Sequence, residues 1–141
     1  MHDILHRIVI EVSPEQLYSA VAEEAGITAW WTKAEMKDQE LRVFFGPEGE
    51  HQVAFAVTDL QPGELVKWQC TEGPWADKGE FVFKISPDER GACLHFSHHG
   101  WAEADDFYRH CNSKWGYFLT VSLKRYLETG TGHPHPEDPD I

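Results

Sequence analysis

Apolar positions recur along this chain with two different periods, and the changes between them mark its elements. Ile4, His6, Ile8, Ile10 and Val12 alternate with Leu5, Arg7, Val9 and Glu11, a period of two that predicts a strand. The strand stops at Ser13-Pro14-Glu15-Gln16, where Ser is an N-cap, Pro suits the first helical position and Gln completes a capping box. Leu17, Ala20 and Val21 form the buried stripe of a short helix ending near Glu23. Gly26 reads as punctuation, and a second short helical turn from Ile27 to Thr32 carries Trp30 and Trp31. Adjacent helical residues lie about 100° apart, so one ring is expected inward and the other at the surface or at the mouth of a cavity.

From Glu35 to Trp101 the period is again two, broken by Gly and Pro in turn contexts. Strands are predicted over 41–45, 52–58, 65–71, 81–85 and 92–99, and connections this short make them antiparallel meanders. The period then changes to 3.6. Residues 103–128 read as one long C-terminal helix, with Ala104, Phe107, Tyr108, Cys111, Trp115 and Phe118 on one arc. Leu119, Ser122, Leu123 and Tyr126 continue that arc, while Lys114, Tyr117, Thr120, Val121 and Lys124 fall opposite. Glu103, Asp105 and Asp106 suit the helix dipole, although the start lacks a good cap. Gly116 in the middle suggests close approach or a bend. One face of the sheet needs a cover, and this helix is the element with enough apolar surface to provide it. Residues 129–141 have no periodicity and little apolar content, so a disordered acidic, Pro-rich tail is expected after a single domain over 1–128.

Composition narrows the partners. The net charge of −12 is spread evenly along the chain with no opposing basic cluster, which argues against nucleic acid and anionic membrane. No apolar run approaches the ~20 residues of a membrane span and no signal-peptide core stands at the start, so membrane insertion is not expected and a cytoplasmic location is. Cys70, Cys93 and Cys111 are odd in number and widely spaced, which reads as buried, unreactive thiols.

Strand, two short helices, five or six antiparallel strands and a long C-terminal helix resemble the helix-grip fold of the SRPBCC (START-related, pollen-allergen-like) superfamily. Within it the chain resembles the activator of heat-shock protein 90 ATPase homologue-like family. The features that carry the resemblance are Val12-Ser-Pro-Glu-Gln-Leu-Tyr18, Ala29-Trp-Trp31, Gly63-Glu-Leu-Val66 and Trp115-x-x-x-Leu119-x-x-x-Leu123-Lys-Arg-Tyr-Leu127. The resemblance implies an α+β fold in which a curved antiparallel sheet grips the long helix over a cavity. It also implies binding of lipids, sterols, polyketides or other apolar molecules, with cyclases and hydrolases a minority. To the eukaryotic co-chaperone it extends only over the C-terminal domain type, and that protein's N-terminal chaperone-binding domain has no counterpart in these residues. A chaperone partner is the corresponding protein-interaction alternative.

Alternation selects the concave face of the sheet: Val53, Phe55 and Val57; Val66, Trp68 and Cys70; Phe81, Phe83 and Ile85; Leu94, Phe96 and His98. The candidate ligand-binding residues are Phe55, Trp68, Phe81, Phe83, Phe96 and His98 from the sheet, with Trp30 and Trp31 at the entrance. Phe107, Cys111, Trp115, Phe118, Leu119 and Ser122 complete the set from the helix. Such an aromatic set suits a ring-shaped apolar ligand, and it is equally able to fill the grip completely.

No cofactor is expected, because no P-loop, dinucleotide fingerprint or nucleophile elbow is present. His95 and His99 share one strand face without a third ligand, so no metal site is assigned. His98 and Cys111 are the titratable groups whose burial would shift their pKa, and His98 is the weak candidate acid or base for an enzyme reading. The oligomeric state is not written in these residues.

Overall fold

The computed structural model describes all 141 residues. Strand β1 (His2–Ile10) leads into helices α1 (Pro14–Ala22) and α2 (Glu24–Trp30). Six strands follow: β2 (Ala34–Lys37), β3 (Glu40–Phe45), β4 (His51–Gln61), β5 (Leu65–Glu72), β6 (Phe81–Asp88) and β7 (Gly91–Trp101). The chain then enters α3 (Asp106–Tyr117), continues through π-helical turns over Phe118–Leu123, and ends its helical run with α4 (Lys124–Thr129).

All strand pairs are antiparallel, and the seven-stranded sheet runs β1-β7-β6-β5-β4-β3-β2. Register shifts between Ala54 and Phe55 and between Val57 and Asp59 bulge β4, and such bulges bend the strand that carries them. The result is the α+β helix-grip arrangement, a curved sheet holding the long helical run. Inner-face residues of the strands, both short helices and the long helix share one apolar core of 31 buried residues, so a single core serves the whole sheet. Lys124 Nζ donates to the Val9 carbonyl at 2.7 Å, and the Glu11 N–H donates to Glu128 at 3.0 Å, tying the end of the helical run to β1.

The capping box at Ser13 is present in full, with reciprocal bonds to Gln16. Four local expectations are corrected. Gly26 lies inside α2 and does not break it: α1 and α2 approach so closely that a Cβ there would sit 2.6 Å from the Ala20 Cα. The long helix begins at Asp106, and Asp105 supplies the cap by accepting from the Tyr108 N–H at 2.9 Å. β2 has only four residues, of which Ala34 alone is buried, too short a pattern to register as a strand. Gly116 is not a point of close approach, since an added Cβ would meet only the His6 Cε1 at 3.5 Å.

Beyond α4 the chain forms no helix or strand, and it lies back over the molecule through polar contacts. The His133 N–H donates to Ser122 Oγ at 2.8 Å and the His135 N–H to the Trp31 carbonyl at 2.7 Å. A periodicity reading registers apolar burial, and these bonds involve almost none.

Candidate functional site

A cavity of about 770 Å³ opens at one end of the sheet, beside α3. Its walls come from Trp31 after α2, Phe45 at the end of β3, Val53 at the start of β4, Trp75 in the β5–β6 connection, and Cys111, Trp115 and Phe118 on the helical run. The π-helical turns begin at Phe118, and their buried side chains include Phe118, Leu119 and Ser122.

Trp31 stacks on Trp68 at 5.7 Å and 12° and meets Trp115 at 5.0 Å. Both tryptophans of the pair are therefore buried, at 0% and 2% exposure for Trp30 and Trp31. Of the two expected places for the outer ring, the surface is excluded, and Trp31 instead lines the cavity. Trp31 is the cap residue beyond α2, where the chain leaves helical spacing, so the two rings stack at 6.2 Å and 20°. Trp30 Nε1 donates to the Ala20 carbonyl at 2.8 Å and locks that arrangement.

The cavity mouth is polar. Glu50, His51, His110, Lys114, His135, Asp138 and Asp140 all border it, and Lys114 is the one Lys or Arg among the lining residues. Lys114 Nζ donates to Asp138 Oδ2 at 2.6 Å and to the Pro139 carbonyl at 2.5 Å. Asp138 Oδ1 pairs with His135 Nδ1 at 2.8 Å, and His135 Nε2 accepts from the Gly46 N–H at 3.2 Å. A carboxylate can only accept, so the bond to Asp138 is donated by His135 Nδ1–H. Burial works to raise the Asp138 carboxyl, but the bonds from Lys114 and His135 outweigh it and hold the group below the usual carboxylate range.

The activator of Hsp90 ATPase homolog 1-like protein family model matches residues 11–128. This chain belongs to that family. The solution structure of the Aha1 dimer from Colwellia psychrerythraea is 34% identical, with a TM-score of 0.82 over 94% of this chain and 100% of the other. A protein from Staphylococcus saprophyticus at 16% identity superposes with a TM-score of 0.76 over 93% of this chain and 95% of its own. An AHSA1-like protein from Aeromonas hydrophila at 13% identity gives 0.71 over 92% and 94%. The last two testify to the fold alone. No curated protein matches the chain.

In this AHSA1-like chain the residues selected from sequence divide into two groups. Trp31, Phe107, Cys111, Trp115 and Phe118 line the cavity. Trp30, Phe55, Trp68, Phe81, Phe83, Phe96, His98, Leu119 and Ser122 do not: each is at most 1% exposed, and they pack against one another beneath it. The Phe96 and Trp115 rings, 4.5 Å apart, and the Phe81 ring stacked 3.6 Å from His98 fill the middle of the grip. The open volume is consequently displaced to the end of the sheet where the loops and the tail meet.

His98 is corrected as a candidate acid or base. Burial, reinforced by His99 and Lys78, lowers its pKa to about 3, so it is neutral at ordinary pH. Its Nδ1 accepts from Trp101 Nε1 at 3.3 Å, which leaves the proton on Nε2, where no partner exists. Burial pushes the Cys111 thiol up to about 11, so it is a poor nucleophile on the cavity wall.

Sequence reasoning missed Phe45, Trp75, Lys114, His135 and Asp138. Trp75 had a signal, an isolated Trp in a turn after Gly73-Pro74. Lys114 was assigned to the far side of the helix, and its long side chain reaches the mouth with only 20% exposure.

Proposed function

We propose that this protein binds an apolar, ring-bearing small molecule in the cavity beside α3. The observation that carries this reading is a volume of about 770 Å³ that remains open among Trp31, Phe45, Trp75, Trp115 and Phe118, in a family whose fold often holds hydrophobic ligands. Pockets of this size, apolar with a few polar groups at one side, are the usual form of a small-molecule site. An enzyme reading that runs through His98 has no support, because that histidine lies beneath the cavity and is held neutral.

The test is a panel of fatty acids, sterols, flavonoids and other aromatic metabolites, read by melting temperature and Trp fluorescence. Ligands that bind only the folded state raise the melting temperature. A hit should quench Trp31 and Trp115 emission and weaken at least tenfold on Trp115→Ala, whereas binding untouched by that change refutes the pocket.

A protein-interaction reading is favoured by one observation, the similarity over full length to a protein described as the Aha1 dimer. It predicts self-association by light scattering or stimulation of an Hsp90 ATPase. Neither depends on the cavity.

A further inference from the structure

The mouth of the cavity holds a cation that the chain itself neutralises. Lys114 projects from α3, and both groups bonded to its Nζ, the Asp138 carboxylate and the Pro139 carbonyl, belong to the C-terminal segment. The Asp138 side chain is only 7% exposed in this position. A carboxylate so buried is costly unless it is paired, and Lys114 and His135 supply the pairing.

What holds the rest of the segment is also polar. The bonds run from His133 to Ser122, from His135 to Trp31 and Gly46, and between His110 Nδ1 and the Ile141 carbonyl at 3.0 Å. Its one large aliphatic side chain, Ile141, is 48% exposed. The segment therefore brings a negative charge to Lys114 and, beyond the His135 ring set edge-on to Phe45 at 5.7 Å, little apolar surface to the walls. A molecule with an anionic group on an apolar body makes the same contact with Lys114 and in addition covers Trp31 and Trp115. That addition removes further apolar surface from water and so favours the ligand over the segment.

We propose, resting on the ligand-binding reading above, that the ligand is an apolar molecule bearing an anionic group, a carboxylate or its like, which replaces Asp138 on Lys114. The Asp138 carboxylate is then the resident occupant of Lys114 that the ligand displaces. Glu50 and Asp140 also border the mouth and repel an anion, so the preference runs through Lys114, the one Lys or Arg among the lining residues. A neutral molecule of the same body gains the walls but forfeits the ion pair, and it leaves Lys114 with Asp138.

Two fluorescent probes of matched body separate these cases: 8-anilinonaphthalene-1-sulfonate and its uncharged counterpart N-phenyl-1-naphthylamine. Both are titrated into the full-length protein and its variants, and the readout is the ratio of the two affinities, which cancels any general opening of the mouth or loss of stability. The anionic probe should bind about tenfold more tightly than the neutral one in the unaltered protein, the scale of one charge-assisted contact. Lys114→Met should bring the ratio near one, and Asp138→Asn should raise it by about a further fivefold by removing the competitor. A ratio near one in the unaltered protein, or a ratio that neither variant moves, overturns the proposal while leaving the apolar cavity intact. Absence of binding by both probes to the unaltered protein and to Asp138→Asn overturns the ligand-binding reading and this inference together. Should Lys114→Met fail to fold by circular dichroism, the shift in Asp138→Asn decides.

Discussion

Gly26 reads in the sequence as a break and Gly116 as a mid-helix glycine, yet both lie inside helices, and the structure assigns them opposite weights. At Gly26 an added methyl would lie 2.6 Å from the Ala20 Cα and 2.7 Å from its carbonyl oxygen, both backbone atoms that move only if α1 moves. At Gly116 it would lie in ordinary contact with the end of the His6 ring. Gly26→Ala should therefore destabilise the protein by about 1–3 kcal/mol through overpacking. Gly116→Ala should stabilise it by roughly 0.5–1 kcal/mol, since Ala restricts the unfolded chain and suits a helix interior. Urea unfolding of the two variants beside the parent checks the pair, and the same sign for both would refute the packing read here. Sequence could not foretell this contrast in packing, because it lies in which distant atoms stand opposite each Cα.

At the scale of elements, alternation and the 3.6 period found what apolar burial writes into a sequence. The strands of the sheet and the buried stripe of the long helix were legible, and the selected inner-face residues from Val53 to His98 are all buried. Elements organised by polar contacts were not. β2 buries one residue, the Asp105 cap is a single hydrogen bond, and the tail is held by partners far away in the chain. Ser122 shows how such an element is fixed. Its hydroxyl, buried where the π-helical turns face α2, donates to the Trp30 carbonyl at 2.6 Å and accepts from the His133 N–H at 2.8 Å. Where the tail leaves the helix, it runs so close to α2 that a Cβ on Gly132 would lie 2.5 Å from the Ala29 carbonyl oxygen. Ser122→Ala removes both bonds and strands a buried carbonyl, a loss of about 1–3 kcal/mol. Hydrogen exchange should show the amides of His133 and His135 losing protection by a larger factor than those of β6 and β7. Equal loss everywhere would mean that Ser122 supports the core and not the tail.

For the whole molecule, acid stability is where the buried centre of the grip should declare itself. The sheet and helix together exclude water from His98, and its ring is stacked on Phe81 with no counter-charge strong enough to offset that burial. In the unfolded chain the group titrates near the ordinary value of 6.5, and in the folded protein near 3. Between those values the unfolded state binds a proton that the native state refuses, so stability falls as pH falls. Integrating from pH 7 to pH 5 gives a loss of about 2 kcal/mol from this one residue. Asp138, Asp3 and Asp88 lie below their ordinary values in the folded protein, so the stability they lend is present above about pH 4 and is lost only as the pH falls through their folded values. Acid destabilisation should thus begin near neutrality through His98, with the carboxylates joining below pH 4. His98→Phe keeps a flat ring against Phe81 and removes the titration. It leaves Trp101 Nε1 without an acceptor, a cost that does not vary with pH. Urea unfolding free energies at pH 7 and pH 5 should therefore diverge by about 2 kcal/mol less in the variant than in the parent. Parallel pH dependence in the two proteins would show that His98 gains its proton in the folded state, and that the centre of the grip is open to water.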